Sequence, residues 1–484
     1  MPDRNAKLAG GALVIALALL FGGMGLFRPG YLTSDLYLGA LIFMQFLLAA
    51  VWSFRTRFFP LLMIAFLWAG MGNLPLSGVW TSGRWFVLIV GAVAGCAIYL
   101  HEAHHRFDTF HLVALFCGVA AVVSAVVSSF PKVSLLKALS LLLLFLYAST
   151  GARMAALADR ERLIRSMVFS VEILVYFSAV CYFILNFPVF GNPNSLGATM
   201  GVVAVPLLLW EKLTNQNAKR NPRITMAFAL SVLLLFFSQA RAGIISAIVA
   251  CVIACVATRR FRFMLQAGAG ALALAVLAVL LVPAEPVIDM PTRREGSSIP
   301  AVFLYKGKDE SGVLGSRKSA WNETVSVITA NPWFGSGFGT ALSTGGNEIR
   351  AASFSSTSAT TREHGDSYLA ILEGVGLLGV LPFFALVLMF ASRALKFLLG
   401  MCRTGRFSHA GVPLAMILVS GLIHAMFEDW LFAVGYYLCV FFWAIAFIFL
   451  DLSLLESFQP MPEFQTPNAV GHPAFLLPRP CDSL

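Results

Sequence analysis

Charge is what this sequence has least of. Asp, Glu, Lys and Arg make up 12% of its 484 residues, against 58% apolar residues, and the mean hydropathy is +0.81. Soluble domains carry about a quarter charged residues. A large soluble domain is therefore excluded, and the chain reads as an all-α polytopic membrane protein. Cysteine is present but never in a useful arrangement. Cys96, Cys117, Cys181, Cys251, Cys255 and Cys439 fall inside apolar runs, and Cys402 and Cys481 fall in segments expected in the cytoplasm. No C-x-x-C pair or His/Cys cluster has metal-ligand spacing, which argues against a disulfide framework and a structural metal. The sequence also lacks the inverted repeat that many transporters carry. No clear small-x-small cleavage site follows the first apolar run, 8–27, which Arg4 and Lys7 precede; it reads as an uncleaved anchor.

What is there is a succession of apolar runs. Segments of roughly 16–24 residues, long enough to cross a bilayer, recur about fourteen times. They lie near 8–27, 35–53, 59–76, 85–100, 110–129, 134–149, 166–186, 194–210, 224–239, 242–257, 264–283, 366–390, 411–427 and 430–450. The third, sixth and thirteenth are the weakest, giving about 12–14 transmembrane helices. The formal charge of +10 would suggest nucleic acid in a soluble chain. Here the basic residues punctuate the apolar runs on alternate connectors: Arg55 and Arg57, then Arg153, Arg160, Arg162 and Arg165, then Lys212, Lys219, Arg220 and Arg223. Arg259, Arg260 and Arg262 follow, then Arg393, Lys396, Arg403 and Arg406. The positive-inside rule explains this pattern with both termini in the cytoplasm and the bilayer, not nucleic acid, as the partner.

The expected organisation is a helix block over 1–283, an outward-facing loop over 284–365, C-terminal helices over 366–454 and a disordered, Pro-rich cytoplasmic tail over 455–484. The long polar loop is where chemistry is expected, because loops held by a rigid scaffold commonly carry function. Within it, 319–330 reads as a short amphipathic helix with Trp321, Val325 and Ile328 on one face, ended by Asn331-Pro332. Gly335, Gly337 and Gly339 follow. With no preceding strand and no βαβ pattern, they read as turn chemistry rather than a nucleotide loop.

Several residues stand out. Arg241, in FFSQARAGIISAIV, is a guanidinium at membrane depth, suited to bidentate binding of a lipid-linked phosphate or to simple anchoring at the interface. Arg317 and Lys318 form a second cationic site whose position near a helix start works against the helix dipole. Glu363, His364 and Asp366 cluster where the chain re-enters the membrane; His364 suits a general base, and Asp366 suits a helix cap. Asn192 and Asn194 lie on an outer turn, as turn formers or as contacts to a sugar or diphosphate. Glu428 and Asp429, with His424 one helical turn earlier, form an outer acidic turn. Glu172 is the one clear ionisable residue inside a span.

Four stretches together carry a resemblance: FGNPNSLGATM (190–200), SQARAGI (238–244), SRKSAWNETVSVITANPWFGSGFG (316–339) and SYLAILEGVGLLG (367–379). In this order and on this topology they resemble the O-antigen ligase and polysaccharide polymerase superfamily of bacterial membranes. The resemblance implies a GT-C-like helical fold in the bacterial inner membrane. It implies an inverting glycosyl transfer, without metal or nucleotide cofactor, at the periplasmic face. The donor would be a glycan on undecaprenyl diphosphate and the acceptor another glycan, with chain-length-regulator or export proteins as candidate partners. Arg241, Arg317 and Lys318 would bind the diphosphate. The base would lie among His364, Glu363 and Asp366, and Asn192, Asn194, Trp321 and Glu428 would be candidate substrate contacts. In the ligases the histidine stands at a set distance before a Leu-x-x-x-x-x-x-Gly pattern. Counting back from Leu369 and Gly376 puts that slot at Gly365, one residue after His364. This offset points to a polymerase of O-antigen or exopolysaccharide repeats, with O-antigen ligase as the sibling alternative. A flippase or transporter of lipid-linked glycans is the alternative from another class, and a passive export scaffold the third.

Overall fold

The computed structural model describes residues 66–67, 69–73, 77–101, 108–154, 160–190, 192–214, 222–259, 261–262, 265–266, 268–270, 315–340 and 364–455. The expected spans near 8–27 and 35–53, most of those near 59–76 and 264–283, most of the long loop, and the tail lie outside the described residues. Those described form helices and turns, with no strand, so the chain is an all-α polytopic membrane protein.

Eleven helices are named here: α1 (Ser77–His101), α2 (Thr109–Val127), α3 (Pro131–Ala152), α4 (Arg160–Ile184), α5 (Pro193–Thr214), α6 (Pro222–Phe237), α7 (Arg241–Ala257), α8 (Gly315–Ala330), α9 (Ser367–Thr404), α10 (Gly411–His424) and α11 (Tyr437–Leu455). Helices α2, α3, α4, α5 and α9 are long and apolar enough to cross a membrane by length and composition. Bilayer-facing helices show their polarity pattern inverted. In α2 the large residues Leu112, Leu115, Phe116, Val119 and Val123 are exposed, while Ala114, Cys117, Gly118, Ala121, Ser124 and Ala125 are buried. Lipid is as apolar as a core, so small residues are kept for close helix contact and large ones are spent on the tails. The centre is different: the apolar window of α5 is 89% buried against 39% for α2, and α10 and α11 bury nearly all their side chains beside it.

Among the described residues, π turns interrupt the helices at the end of α3 (Ala148–Ala152), at the end of α4 (Val180–Ile184) and inside α5 (Thr199–Ala204). The one in α5 is where Thr199 Oγ1 meets the Tyr437 hydroxyl at 2.7 Å, a local widening of the helix of the kind that often attends functional sites. Gly197, Gly201 and Gly243 set α5 against α7. A Cβ on Gly201 would strike the Gly243 carbonyl, and one on Gly243 the Gly197 carbonyl. The GATMG and RAG pieces of the sequence are therefore a small-residue crossing, and it draws Arg241, at the start of α7, toward the start of α5.

The last expected span, 430–450, begins as helix only at Tyr437. Residues 430–436 turn instead, with the Trp430 and Leu431 amides bonded to the Ser367 hydroxyl at 3.0 and 3.1 Å. Trp430 and Leu431 are buried in this form, so the apolar run reports depth, not helix.

Candidate functional site

The geometry of the site starts from a break in α9. Gly376 has φ +70° and ψ −177°, a conformation that L side chains rarely adopt. A straight helix would bond the amides of Leu377 and Leu378 to the carbonyls of Glu373 and Gly374. Here those amides bond Pro332 O at 2.8 Å and Trp333 O at 3.1 Å instead. The freed Glu373 and Gly374 carbonyls accept from the amides of Ser336 (2.9 Å) and Gly337 (3.1 Å). Two helix bonds are exchanged for four bonds to the turn after α8, so the backbone groups freed by the break find partners, as backbone at membrane depth requires. Serines from α2, α3 and their connection clamp the same turn: Ser124 Oγ donates to Gly374 O (2.5 Å), Ser128 Oγ to Ser336 O (3.0 Å) and Ser134 Oγ to Phe338 O (3.0 Å). Gly335, Gly337 and Gly339 all have positive φ, in keeping with turn chemistry.

This turn fixes the loop helix. Helix α8 begins at Gly315, four residues before the expected start, and its buried face is Thr324 and Val327, not the expected Trp321, Val325 and Ile328; Val325 is exposed. Thr324 can face inward because its hydroxyl bonds Ala320 O at 2.8 Å, and so weakly amphipathic a helix is not oriented by its few apolar residues. The rotation has a consequence. Arg317, one heptad before Thr324, shares the inward stripe, while Lys318 is exposed.

Arg317 donates from Nη2 to Glu428 Oε1 at 2.6 Å and from Nη1 to Gly365 O at 2.8 Å. Asn194 Nδ2 reaches the same Glu428 oxygen at 3.2 Å. Trp321 Nε1 and Arg317 Nη1 both lie against Gly365. Arg241 is near enough for its charge and that of Arg317 to act on each other. Asn192 is engaged as the N-cap of α5, its side chain accepting from the Ser195 amide at 2.7 Å.

Beside the arginines lies a line of titratable groups. His364 Nδ1 is 2.5 Å from Asp429 Oδ2, and Nε2 is 3.4 Å from Glu373 Oε1. Glu373 is 1% exposed and His364 8%, while the Asp429 side chain keeps 29%. Burial alone would pull the His364 imidazole down, but the hydrogen bonds and charges of Asp429 and Glu373 outweigh it and push it up to about 9. At neutral pH the site therefore holds an imidazolium between two carboxylates. Asp366 is the N-cap of α9, with its Oδ1 2.7 and 3.3 Å from the Tyr368 and Leu369 amides. The acidic turn is pinned by Ser367, whose hydroxyl donates to Glu428 O at 2.5 Å. Glu363 lies outside the described residues.

The structure thus gathers Arg241, Arg317, Trp321, His364, Asn194 and Glu428 at one end of the bundle and gives Asp366 and Asn192 helix-capping contacts. It draws Asp429 of the acidic turn into the set and adds one residue, Glu373. Glu373 carried a readable signal, a carboxylate inside the apolar run 366–390, so Glu172 is not the one ionisable residue within a span. Glu172 itself pairs with Arg223 at 2.6 Å. Asp429 stood out only as part of the acidic turn, since nothing local distinguishes it from its neighbour Glu428. Among the described residues no three His, Cys, Asp or Glu side chains are grouped to hold a metal ion.

Residues 226–384 match a family model described as O-antigen ligase. The match spans α6, α7, α8 and the first half of α9, and so includes Arg241, Arg317, His364 and Glu373. Over this segment the chain resembles the O-antigen ligase superfamily, and the general class of activity supported is membrane glycosyl transfer involving lipid-linked glycan. No curated protein matches the chain.

Proposed function

We propose that this O-antigen-ligase-like membrane protein is an inverting glycosyltransferase that extends glycan at the periplasmic face of the bacterial inner membrane. Its donor is a glycan on undecaprenyl diphosphate, and its acceptor is a hydroxyl of another glycan. The observation that carries the proposal is the convergence of two arginines, Arg241 and Arg317, with the Asp429–His364–Glu373 line at one end of a helix bundle.

In the reaction the acceptor oxygen attacks the anomeric carbon opposite the leaving group. A new carbon–oxygen bond forms, the bond to the diphosphate breaks, and the acceptor's proton must leave. Charge develops on the departing diphosphate. Fixed guanidinium groups in a site shielded from water stabilise such charge without reorganising. The Arg317–Glu428 bond holds the guanidinium in place before substrate arrives, and Asn194 steadies Glu428. Asp429 is the most exposed member of the carboxylate–imidazole line and takes the proton, with His364 orienting it and sharing the proton. Asp366 is left to cap α9, and Lys318 and Asn192 contribute to charge and shape rather than to the reacting atoms.

The acceptor decides between siblings. His364 stands one residue from the ligase slot, yet Gly365 at φ +69° turns the chain so that His364 still enters the site. That favours keeping the ligase as the second reading. The flippase reading has less support: among the described residues the buried charges collect at the two ends of the bundle or in the Glu172–Arg223 pair, and do not line a path. The test is glycan length in cells carrying Arg241→Ala or Arg317→Ala at matched protein levels. Loss of long polymer with accumulation of lipid-linked single repeats outside supports polymerisation. Normal polymer that never reaches lipid A-core makes it a ligase, and unchanged polymer in both variants refutes the arginine mechanism.

A further inference from the structure

The opposite end of the bundle holds a second cationic cavity. It measures about 450 Å³ and is lined by Phe110, Met389, Ser392, Arg393, Lys396, Phe397 and Ser453, from α2, α9 and α11. Arg393 donates from Nε to the Ser453 hydroxyl at 2.8 Å, and that hydroxyl in turn donates to Leu450 O at 2.9 Å. Its guanidinium carbon sits 5.6 Å from the centre of the Phe110 ring. These contacts fix the guanidinium by one nitrogen and one face, and its two terminal nitrogens have no hydrogen-bond partner among the described residues. Lys396, one turn further along α9 on the same side, adds a second charge at the rim.

The contrast with three other arginines set among helices is chemical. Arg153 is held by Asp451, Arg223 by Glu172 and Arg317 by Glu428. No carboxylate lines the Arg393 cavity. The acid whose charge acts on Arg393, Asp108, already accepts from the Thr109 amide at 2.7 Å as the cap of α2. Phe110 and Ser124, toward opposite ends of α2, meet Arg393 and Gly374 respectively, so α2 separates the cavity from the break in α9, and Arg393 and Lys396 stand among the basic residues that the positive-inside rule puts on the cytoplasmic side. The cavity thus lies at the headgroup level of the leaflet opposite the glycan-transfer site, with Met389, Phe110 and Phe397 as apolar walls.

We infer that this cavity binds the phosphate of an anionic phospholipid of the opposite leaflet, bidentate on Arg393 and charge-paired with Lys396, with an acyl chain along the apolar wall. A fixed guanidinium matches a phosphate diester in geometry as well as in charge.

The test is native mass spectrometry of the full chain in detergent, titrated with phosphatidylglycerol or phosphatidylcholine. The expected result is one retained phosphatidylglycerol and no retained phosphatidylcholine, with affinity reduced on the order of tenfold or more in Arg393→Ala/Lys396→Ala. Arg403→Ala/Arg406→Ala removes the same charge from exposed positions and is expected to leave the lipid bound. Met389→Trp fills the cavity with the charges intact and is expected to abolish retention. Equal loss in the two charge variants would reduce the site to diffuse surface attraction, and retention in Met389→Trp would refute it. Glycerol 3-phosphate competing as well as the lipid would mean a free-phosphate site and overturn the lipid reading.

Discussion

The two ends of the bundle both bury an arginine against a carboxylate, and they do so in opposite ways. At one end Arg153 meets Asp451 through Nε–Oδ2 (2.7 Å) and Nη2–Oδ1 (2.5 Å), with both side chains under a tenth exposed. The fork is complete and the ring of His111 closes it at 2.8 Å. At the other end Arg317 gives Glu428 a single contact, and both keep more than a fifth of their surface. A complete, dry pair ties α3 to α11. A half-open pair on a turn leaves room for the third partner that the proposed function requires. Arginine content alone would not separate them; completeness of the fork does.

The sharpest way to break this comparison is to truncate both arginines. Arg317→Ala is expected to lower glycan transfer by about 10²–10³-fold, the loss typical of a missing transition-state donor, with little change in thermal unfolding of the purified chain. Arg153→Ala strands a buried carboxylate and is expected to cost about 3–5 kcal/mol of stability, with transfer falling only as folded protein falls. Unfolding midpoints and radiolabelled glycan assays on the same preparations check both. Matching losses of activity and stability in the two variants would erase the distinction.

The next effect is on pH. His364 is raised from about 6.5 in the unfolded chain to about 9 when folded, so its contribution is complete below about pH 6.5 and is lost as pH climbs toward 9. Thermal stability should fall across that window by an amount on the order of 3 kcal/mol, and Asp429→Asn should flatten the fall. The Arg153 end also holds an imidazole, His111, 2.8 Å from Nη1 of Arg153, so the control that assigns the fall to the site end is His364→Gln, which should remove it. With Asp429 as proton acceptor, transfer stays level between pH 7 and 9. A rate rising tenfold per unit would move the base to the neutral His364 imidazole.

Smaller effects probe the scaffold of the site end. Gly376→Ala forces a side chain into the left-handed region and toward the Trp333 carbonyl; a loss of about 2 kcal/mol or more is expected, since left-handed strain alone costs about 1–2 kcal/mol. Ser128→Ala removes one clamp on the glycine turn and is expected to cost about 0.5–1.5 kcal/mol. Unfolding midpoints read both.

Much of this was legible in the sequence because lipid imposes simple rules. Ten of the expected spans meet helices in the structure, and their alternating charges placed Asn194, Arg241, Arg317, His364 and Glu428 on a common side before any contact was known. What escaped was set by tertiary exchange. The face of α8 follows from the turn that anchors it, not from its own periodicity. Residues 430–436 are apolar yet form a turn, held at its start by Ser367, some sixty positions earlier, through the Trp430 and Leu431 amides. Asp429 gains its meaning only from His364, and Arg153, read as a topology signal, is a buried tie.

The break in α9 also bears on how the protein is made. A helix entering the bilayer by itself has to satisfy its own amides and carbonyls, so α9 crosses with the Leu377 and Leu378 bonds running back along its own backbone. Its partner segment, 331–340, precedes it in the chain and waits outside the membrane. Docking of that segment then exchanges two internal bonds for four external ones. The bend therefore depends on the docked segment, and the approach of Glu373 to His364 depends on the bend.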